Sequence, residues 1–475
     1  MGRARTDRPE AAGVPVLGLA ALILLAGCDA DPFHPEAVEA HFAGDGSMLV
    51  LGAANRFYVP DPATMVAPAG DLWLARLEDG GATTRWQTVV GTAALQGAAG
   101  FTETATGRIV VAGYDLTTDA DAWLLAFDPD GDLTWERVLR GDGLQELRDV
   151  VELPAGDLVA VGNHITMDGA SLLVMRADRD GISCWQQVLG LEGRVGGAQV
   201  LLRDDGDVMV VGLAEGAAGG PAEAIVVSVR VGADCADPDG GAVAWARLVG
   251  ADDGFAPGRA ALLPGGGLLL AGASAPPAGD PALGEVCYDR LDNDGNGAVD
   301  EGCLPRDARV VSLGPGGDLL WDLALEGDGD EGIADLLPLS DGRFLLAGTT
   351  DGYGSRIAGD TDLWLVWITA DGTLDLQRSY GSTDPERPLA LRQGADETVT
   401  VAVAQGGAFP ILRVDGEGAL VEGCGIARDT TAHVVGGSVA VREPVLSRDP
   451  TGLILDSVMP DSDRPAPLAV PICNP

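Results

Sequence analysis

The sequence predicts an all-β protein, a β-propeller of seven to eight four-stranded blades with the eighth repeat degraded. Three observations lead there. Apolar runs of four to seven residues, rich in Val, Leu, Ile and Trp, alternate with clusters of Gly, Asp, Asn and Pro, which is the pattern of short strands joined by tight turns. Helical spacing is sustained nowhere. The runs recur as a unit, seen from Gly107, from Gly156 and from Gly342, and four strands repeated at roughly 50 residues is the period of a propeller blade. The 69 Gly and 29 Pro suit a turn-dense chain. One four-stranded sheet cannot bury both faces, whereas a ring of them can.

Within the unit, Leu147 to Leu153 reads as the first strand and Leu158 to Val161 as the second. Leu172 to Met175 reads as the third and Trp185 to Leu189 as the fourth. Second-strand segments recur at Met48–Leu51, Ile109–Ala112, Leu158–Val161, Val208–Val211, Leu268–Ala271, Phe344–Ala347 and Val399–Val403. After Gly425, Val441 to Leu455 aligns with Leu147 to Val159, and Leu468–Ile472 offers a third strand. This favours an incomplete eighth blade over seven blades with a C-terminal strap, and both stay open. A Gly precedes a large residue by four positions in five copies: Gly131/Trp135, Gly181/Trp185, Gly241/Trp245, Gly317/Trp321 and Gly372/Leu376. The Gly allows positive φ in the hairpin turn, and the large residue is expected to wedge between blades as core.

The segment Ala126-Phe127-Asp128-Pro129-Asp130-Gly131-Asp132-Leu133-Thr134-Trp135 resembles the repeats of secreted bacterial β-propeller proteins, including the seven-bladed-propeller type. It is also similar to the quinoprotein-type repeat, one residue shorter and without the Thr before Gly. The resemblance implies the fold; function would reside in sites grafted on it.

Residues 1–27 read as an export signal. Arg3, Arg5 and Arg8 precede an apolar run from Val14 to Ala26 that is too short for an ordinary membrane span. Leu25-Ala26-Gly27-Cys28 resembles the bacterial lipobox, which implies a diacylated Cys28, a tether over 28–36 and a propeller over 37–475. The chain is then expected in the cell envelope, held to the membrane by its lipid alone.

Net charge is −42, and all 30 basic residues are Arg. Such acidity argues against nucleic acid, whose phosphates require cations. The lack of Lys excludes a P-loop lysine or a Schiff base. The four His (His34, His41, His164, His433) form no HExxH helix, and His164 reads as surface polar. Setting Cys28 aside leaves six Cys, an even number that suits an oxidising compartment. Cys287 and Cys303 close a short loop. Cys184 and Cys235 fall at the same end of adjacent blades and could pair, leaving Cys424 and Cys473 to tie back the tail; six Cys allow fifteen arrangements.

The insertion at 280–305 contains EVCYDRLDNDGNGAVDEGC. Asp292, Asp294, Asn296 and Asp300 stand at positions 1, 3, 5 and 9 of an EF-hand-like loop, with Gly297 at position 6. The Ala298 carbonyl serves position 7. Cys303 replaces the position-12 Glu, for which Glu301 can substitute. Alternating oxygens suit Ca²⁺, the expected cofactor, in a structural role. The stretch also resembles a metal-binding motif of bacterial surface proteins, with Arg290 where that motif has Gly.

Loops after the second strands are long: 52–70, 113–120, 162–170, 213–222, 273–306 and 349–361. Long loops on a rigid scaffold are where binding usually lives. The chain therefore reads as a non-enzymatic binding or assembly scaffold with an envelope protein or polysaccharide as partner and no catalytic residue singled out. The alternatives are a calcium-dependent adhesin or carbohydrate-binding protein and a glycan-active hydrolase or lyase.

Overall fold

The structure, a computed structural model, describes residues 36–54, 71–78, 83–91, 96–115, 120–191, 193–216, 221–274, 306–327, 329–351, 361–381, 385–405 and 410–421, with tail segments 427–429, 433–436, 439–444, 447–449, 454–457 and 461–463. Cys28, the loop residues from Cys287 to Cys303, Cys424 and Cys473 lie outside the described residues.

Seven antiparallel sheets follow one another around a ring. Blades 1 to 7 occupy 36–91, 96–140, 144–190, 193–250, 256–326, 331–380 and 386–414. In each, the first strand is innermost and its neighbours follow in chain order. Blade 7 has three strands among the described residues and begins a fourth at the Val414–Leu420 bridge. Second and third strands are buried over most of their length, and from end to end in Ile109–Asp115 and Asp362–Ile368. That burial follows from the architecture, because each sheet is covered on both faces. The apolar clusters lie between neighbouring blades. One joins Val159, Leu172 and Val174 of blade 3 to Val208, Ile225 and Val227 of blade 4. Another joins Met48 and Trp73 of blade 1 to Leu389, Ala402 and Ile411 of blade 7, which closes the ring. Across this last seam Arg387 Nη2 donates to the Ala37 carbonyl at 2.8 Å.

The outer-strand aromatics wedge between blades, each over a turn glycine of the next blade. Trp86 covers Gly131, Trp135 covers Gly181, Trp185 covers Gly241, Trp245 covers Gly317 and Trp321 covers Gly372. At Gly317, φ is +79° and a Cβ would stand 2.8 Å from the Trp245 ring, so both backbone and space demand glycine. The residue two positions on often completes the grip. Arg137 Nη2 donates to the Asp180 carbonyl at 2.7 Å, and Arg247 Nη2 to the Gly316 carbonyl at 3.0 Å. The same two Arg lie over the Trp135 and Trp245 rings at 5.3 and 5.4 Å, a cation–π geometry.

The expected eighth blade does not form. Residues 440–442, 447–449 and 454–457, which the sequence alignment placed in one repeat, pair with three different blades. The tail runs back around the outside of the ring. Ala427–Asp429 pairs with blade 6 and His433–Gly436 with blade 5. Ala440–Arg442, Ser447–Asp449, Ile454–Ser457 and Asp461–Asp463 take blades 4, 3, 2 and 1. Each adds a fifth strand to a four-stranded blade and so covers an edge that would otherwise present unpaired backbone groups. Alternating short strands and connectors imitate a repeat in sequence, which is why the tail aligned with one. Backbone hydrogen bonds contribute about 0.5–1.5 kcal/mol each, close to the roughly 1–2 kcal/mol cost of ordering each residue, so side-chain anchors decide the balance. Val439 is buried in the blade 4–5 core, its N–H donates to Asp322 at 3.0 Å, and Arg442 and Glu443 pair with Glu223 and Arg247.

Gly317→Ala is expected to cost roughly 1–3 kcal/mol through overpacking and positive φ. Gly44→Ala, with open space around it, is expected to leave the denaturation midpoint unchanged. Paired urea titrations check both.

Candidate functional site

Every inner strand carries one bulge at the same height. The register skips Val38, Ala99, Arg148, Ala198, Gly258, Ala334 and Leu389 in turn. Two residues then oppose one, and the strand bends. The second strand accommodates the bend with a glycine in blades 1 to 6; at Gly212 a Cβ would lie 1.9 Å from the Gly196 carbonyl oxygen. An aliphatic residue followed by glycine late in the second strand, as in Leu51-Gly52 and Val161-Gly162, is the mark that this ring leaves in the sequence.

The residues just past the bulges are Glu39, Gly100, Asp149, Gln199, Arg259, Asp335 and Ala390, one per blade. Gln199 clamps blade 4 to blade 5, accepting from Ala260 N at 2.8 Å and donating to its carbonyl at 3.1 Å. Asp149 accepts from Val150 N at 2.8 Å and, across the blade boundary, from Val200 N at 2.9 Å. Arg259 of blade 5 reaches Glu39 of blade 1 at 3.2 Å and Asp335 of blade 6 at 3.5 Å. Blades 1 and 5 are not neighbours, so the Arg259–Glu39 pair spans the central channel. His41 Nε2 lies 3.1 Å from Glu39 Oε1, and the ring stacks on Phe101 at 4.2 Å. Three carboxylates, one guanidinium and one imidazole thus meet at mid-height.

Burial dominates the electrostatics here. It opposes charge on Glu39, yet His41 and Arg259 hold that carboxyl below its usual range. Burial first, and the Glu39 charge second, push Asp149 up to about 7. Burial also raises Asp335 against the pull of Arg259. The guanidinium of Arg259 stays charged, its burial outweighed by Glu39, Asp335 and Asp149. The cluster braces and crosses the channel.

Two cavities flank it. The larger, about 770 Å³, opens on the face of the first-to-second turns and is lined by His41, Gln199, Arg259, Asp335 and Arg392. The smaller, about 310 Å³, opens on the opposite face, that of the second-to-third loops, between Glu146, Arg148, Asn163, Ile165, Arg194 and Glu215. Arg148, itself a bulge residue, bonds Glu146 Oε1 at 2.8 Å, and Asn163 donates to the same oxygen. Asn163 Oδ1 accepts from Gly197 N at 2.9 Å, tying blade 3 to blade 4. Above this mouth the expected long loop 162–170 is instead a hairpin. Its strands Leu158–Thr166 and Gly169–Ala177 pair to the tip, leaving Met167 wholly exposed. His164 bonds the Asp142 carbonyl at 2.7 Å on that surface.

Cys184 and Cys235 form a disulfide with Cα atoms 4.7 Å apart, joining the outer strand of blade 3 to the third-to-fourth loop of blade 4. The buried Arg176 holds the same loop, donating to the carbonyls of Val231, Gly232 and Asp234 and pairing with Asp157 at 2.6 Å. Asp292, Asp294, Asn296, Ala298, Asp300 and Glu301 lie outside the described residues, but the base of their insertion is visible. Ser274 and Asp307 bond each other there, and Arg306 bonds Asp330. Glu331 is buried beside this base, accepting from Thr350 at 2.9 Å. Burial foremost, then Asp351, Asp307 and Asp330, push it up to about 8.

The fold and site define a seven-bladed β-propeller with a braced channel. No family model matches the chain, and no curated protein matches it. Among solved structures it is similar to a protein of unknown function from Bacteroides caccae (13% identity, TM-score 0.35, 61% of this chain and 82% of that one). A protein of unknown function from Dyadobacter fermentans also matches (13%, 0.40, 74% and 95%). A variant of the Synechocystis apocarotenoid oxygenase matches at 14%, 0.36, 87% and 74%. These scores carry no inference about activity.

Arg259→Met is expected to destabilise by about 3–5 kcal/mol, because it strands buried carboxylates. Adding Glu39→Gln and Asp335→Asn should return much of that loss in a denaturant series. Glu331 binds a proton in the folded chain between its ordinary 4.5 and about 8, where the unfolded chain does not, so stability falls as pH rises through that window. Glu331→Gln should melt above wild type at pH 9 and converge with it at pH 4.

Proposed function

We propose that this chain is a non-enzymatic binding scaffold of the cell envelope, lipid-anchored through Cys28, which works through the face of its second-to-third-strand loops. The observation that carries the reading is that the first strand begins on that face. Glu36 pairs with Ala53, one residue short of the end of the second strand of blade 1. A tether from Cys28 to Glu36 spans at most roughly 3.3–3.6 Å per residue, or about 28 Å for its eight steps. An acylated Cys28 therefore keeps the loop face toward the membrane, with the mouth at Arg148 and Arg194 and the exposed Met167 directed at it. A partner protein or polysaccharide fixed close to the membrane fits that arrangement. The insertion base among Asp307, Asp330 and Glu331 favours a second reading in which calcium held by the 280–305 loop assists adhesion.

Two experiments test this. In vesicles carrying headgroup quenchers, a fluorophore on Met167→Cys should be quenched more than one on Gly156→Cys, which lies on the opposite face; equal quenching defeats the orientation. Capture from solubilised envelope should be lost for Arg148→Glu/Arg194→Glu and kept for Arg343→Glu on the far face. Loss in chelator would implicate the calcium loop.

A further inference from the structure

We propose that the larger cavity, at the mouth of the first-to-second turns, binds a short zwitterionic peptide with apolar side chains, receiving its carboxylate at Arg392 and its ammonium at Asp335. The inner strands build the site in two levels. The lower level holds the residues just past the bulges, among them Arg259 and Asp335. The upper level stands two positions further on, where side chains return to the same face of a strand. His41, Leu201, Ala261, Leu337 and Arg392, from blades 1, 4, 5, 6 and 7, occupy it, and all five line the cavity. An apolar wall of Leu201, Ala261 and Leu337 is thus bracketed by two basic side chains on adjacent blades.

Arg392 and Asp335 each leave an atom group unmet. Arg392 makes no hydrogen bond and no ion pair among the described residues. Its Nη1 reaches across to blade 1, where a Cβ on Gly46 would stand 3.7 Å from it. A guanidinium at a cavity rim with no carboxylate of its own is a receptor for an anion. Asp335 Oδ1 accepts from Leu336 N at 2.9 Å and faces Arg259 Nε at 3.5 Å, whereas Oδ2 takes no hydrogen bond among the described residues. Burial raises this carboxyl above its ordinary value because Arg259 and His41 do not fully offset it, so an added cation is favoured there.

Charge then selects the class of ligand. A simple anion would meet the Asp335 carboxylate and a chain of net charge −42. A simple cation would meet Arg259 and leave Arg392 alone. A zwitterion answers both groups at no net charge, and the apolar wall takes its body. The two levels are about 6.6 Å apart along a strand, close to the span of two extended residues. A cavity of about 770 Å³ suits a ligand of that size.

Titration calorimetry on the full chain tests this with leucyl-leucine as probe, and a single site is expected. Leucyl-leucine amide lacks the carboxylate and N-acetyl-leucyl-leucine lacks the ammonium; each should bind roughly tenfold more weakly. Arg392→Gln should weaken leucyl-leucine by a similar factor and no longer distinguish it from its amide. Arg179→Gln, an exposed arginine in the outer turn of blade 3, should bind as the unsubstituted chain does. Absence of binding to the unsubstituted chain overturns the proposal. So does an Arg392→Gln chain that still prefers the acid to the amide, or an N-acetyl peptide that binds undiminished. The N-acetyl peptide tests the ammonium contact without any substitution in the brace at Asp335.

Discussion

A large side chain resting on a bare glycine of the next blade is the contact on which this ring depends. Trp245 over Gly317 and its four counterparts fix both the distance and the angle between neighbours, because a flat ring lies against backbone with no Cβ between them. The apolar clusters fill in behind that contact, each shared by two blades. A blade therefore has no core of its own. Whatever loosens one seam exposes two sheets, and the ring is stable only when every seam is made.

The centre follows different physics. Seven bulges at one height direct one residue per blade toward the axis, and the chain fills those places unevenly. Glycine at position 100 and alanine at position 390 leave room, Gln199 and Asp149 clamp adjacent blades, and Arg259 crosses to Glu39. Desolvation disfavours each charge, and only mutual pairing keeps them there. The middle of the channel is thus committed to holding the ring, and its open surface lies at the two mouths.

Much of the blade was legible in the sequence because period and turn chemistry are local. The strands around 147–189, the turn glycines and the Cys184–Cys235 adjacency all follow from short-range pattern. The central cluster was not legible, since Glu39 and Arg259 are 220 residues apart and meet only through ring closure. The hairpin tip at Met167 reads as a loop in sequence because its strands are polar where they leave the core: Asn163, His164 and Thr166 lack the apolar alternation that marks a strand. The tail deceived for the opposite reason, being patterned like a blade while pairing with six.

The direction in which the tail is laid down has a consequence for biogenesis. A chain made from its N-terminus presents blade 1 first, yet the strand Asp461–Asp463 that covers blade 1 is the last tail strand among the described residues. Until then the outer edge of the oldest blade stays bare. A chain cut short within blade 7 would lose every tail strand at once. Such a chain would expose six outer edges at once, each with the unpaired backbone groups that invite edge-to-edge association.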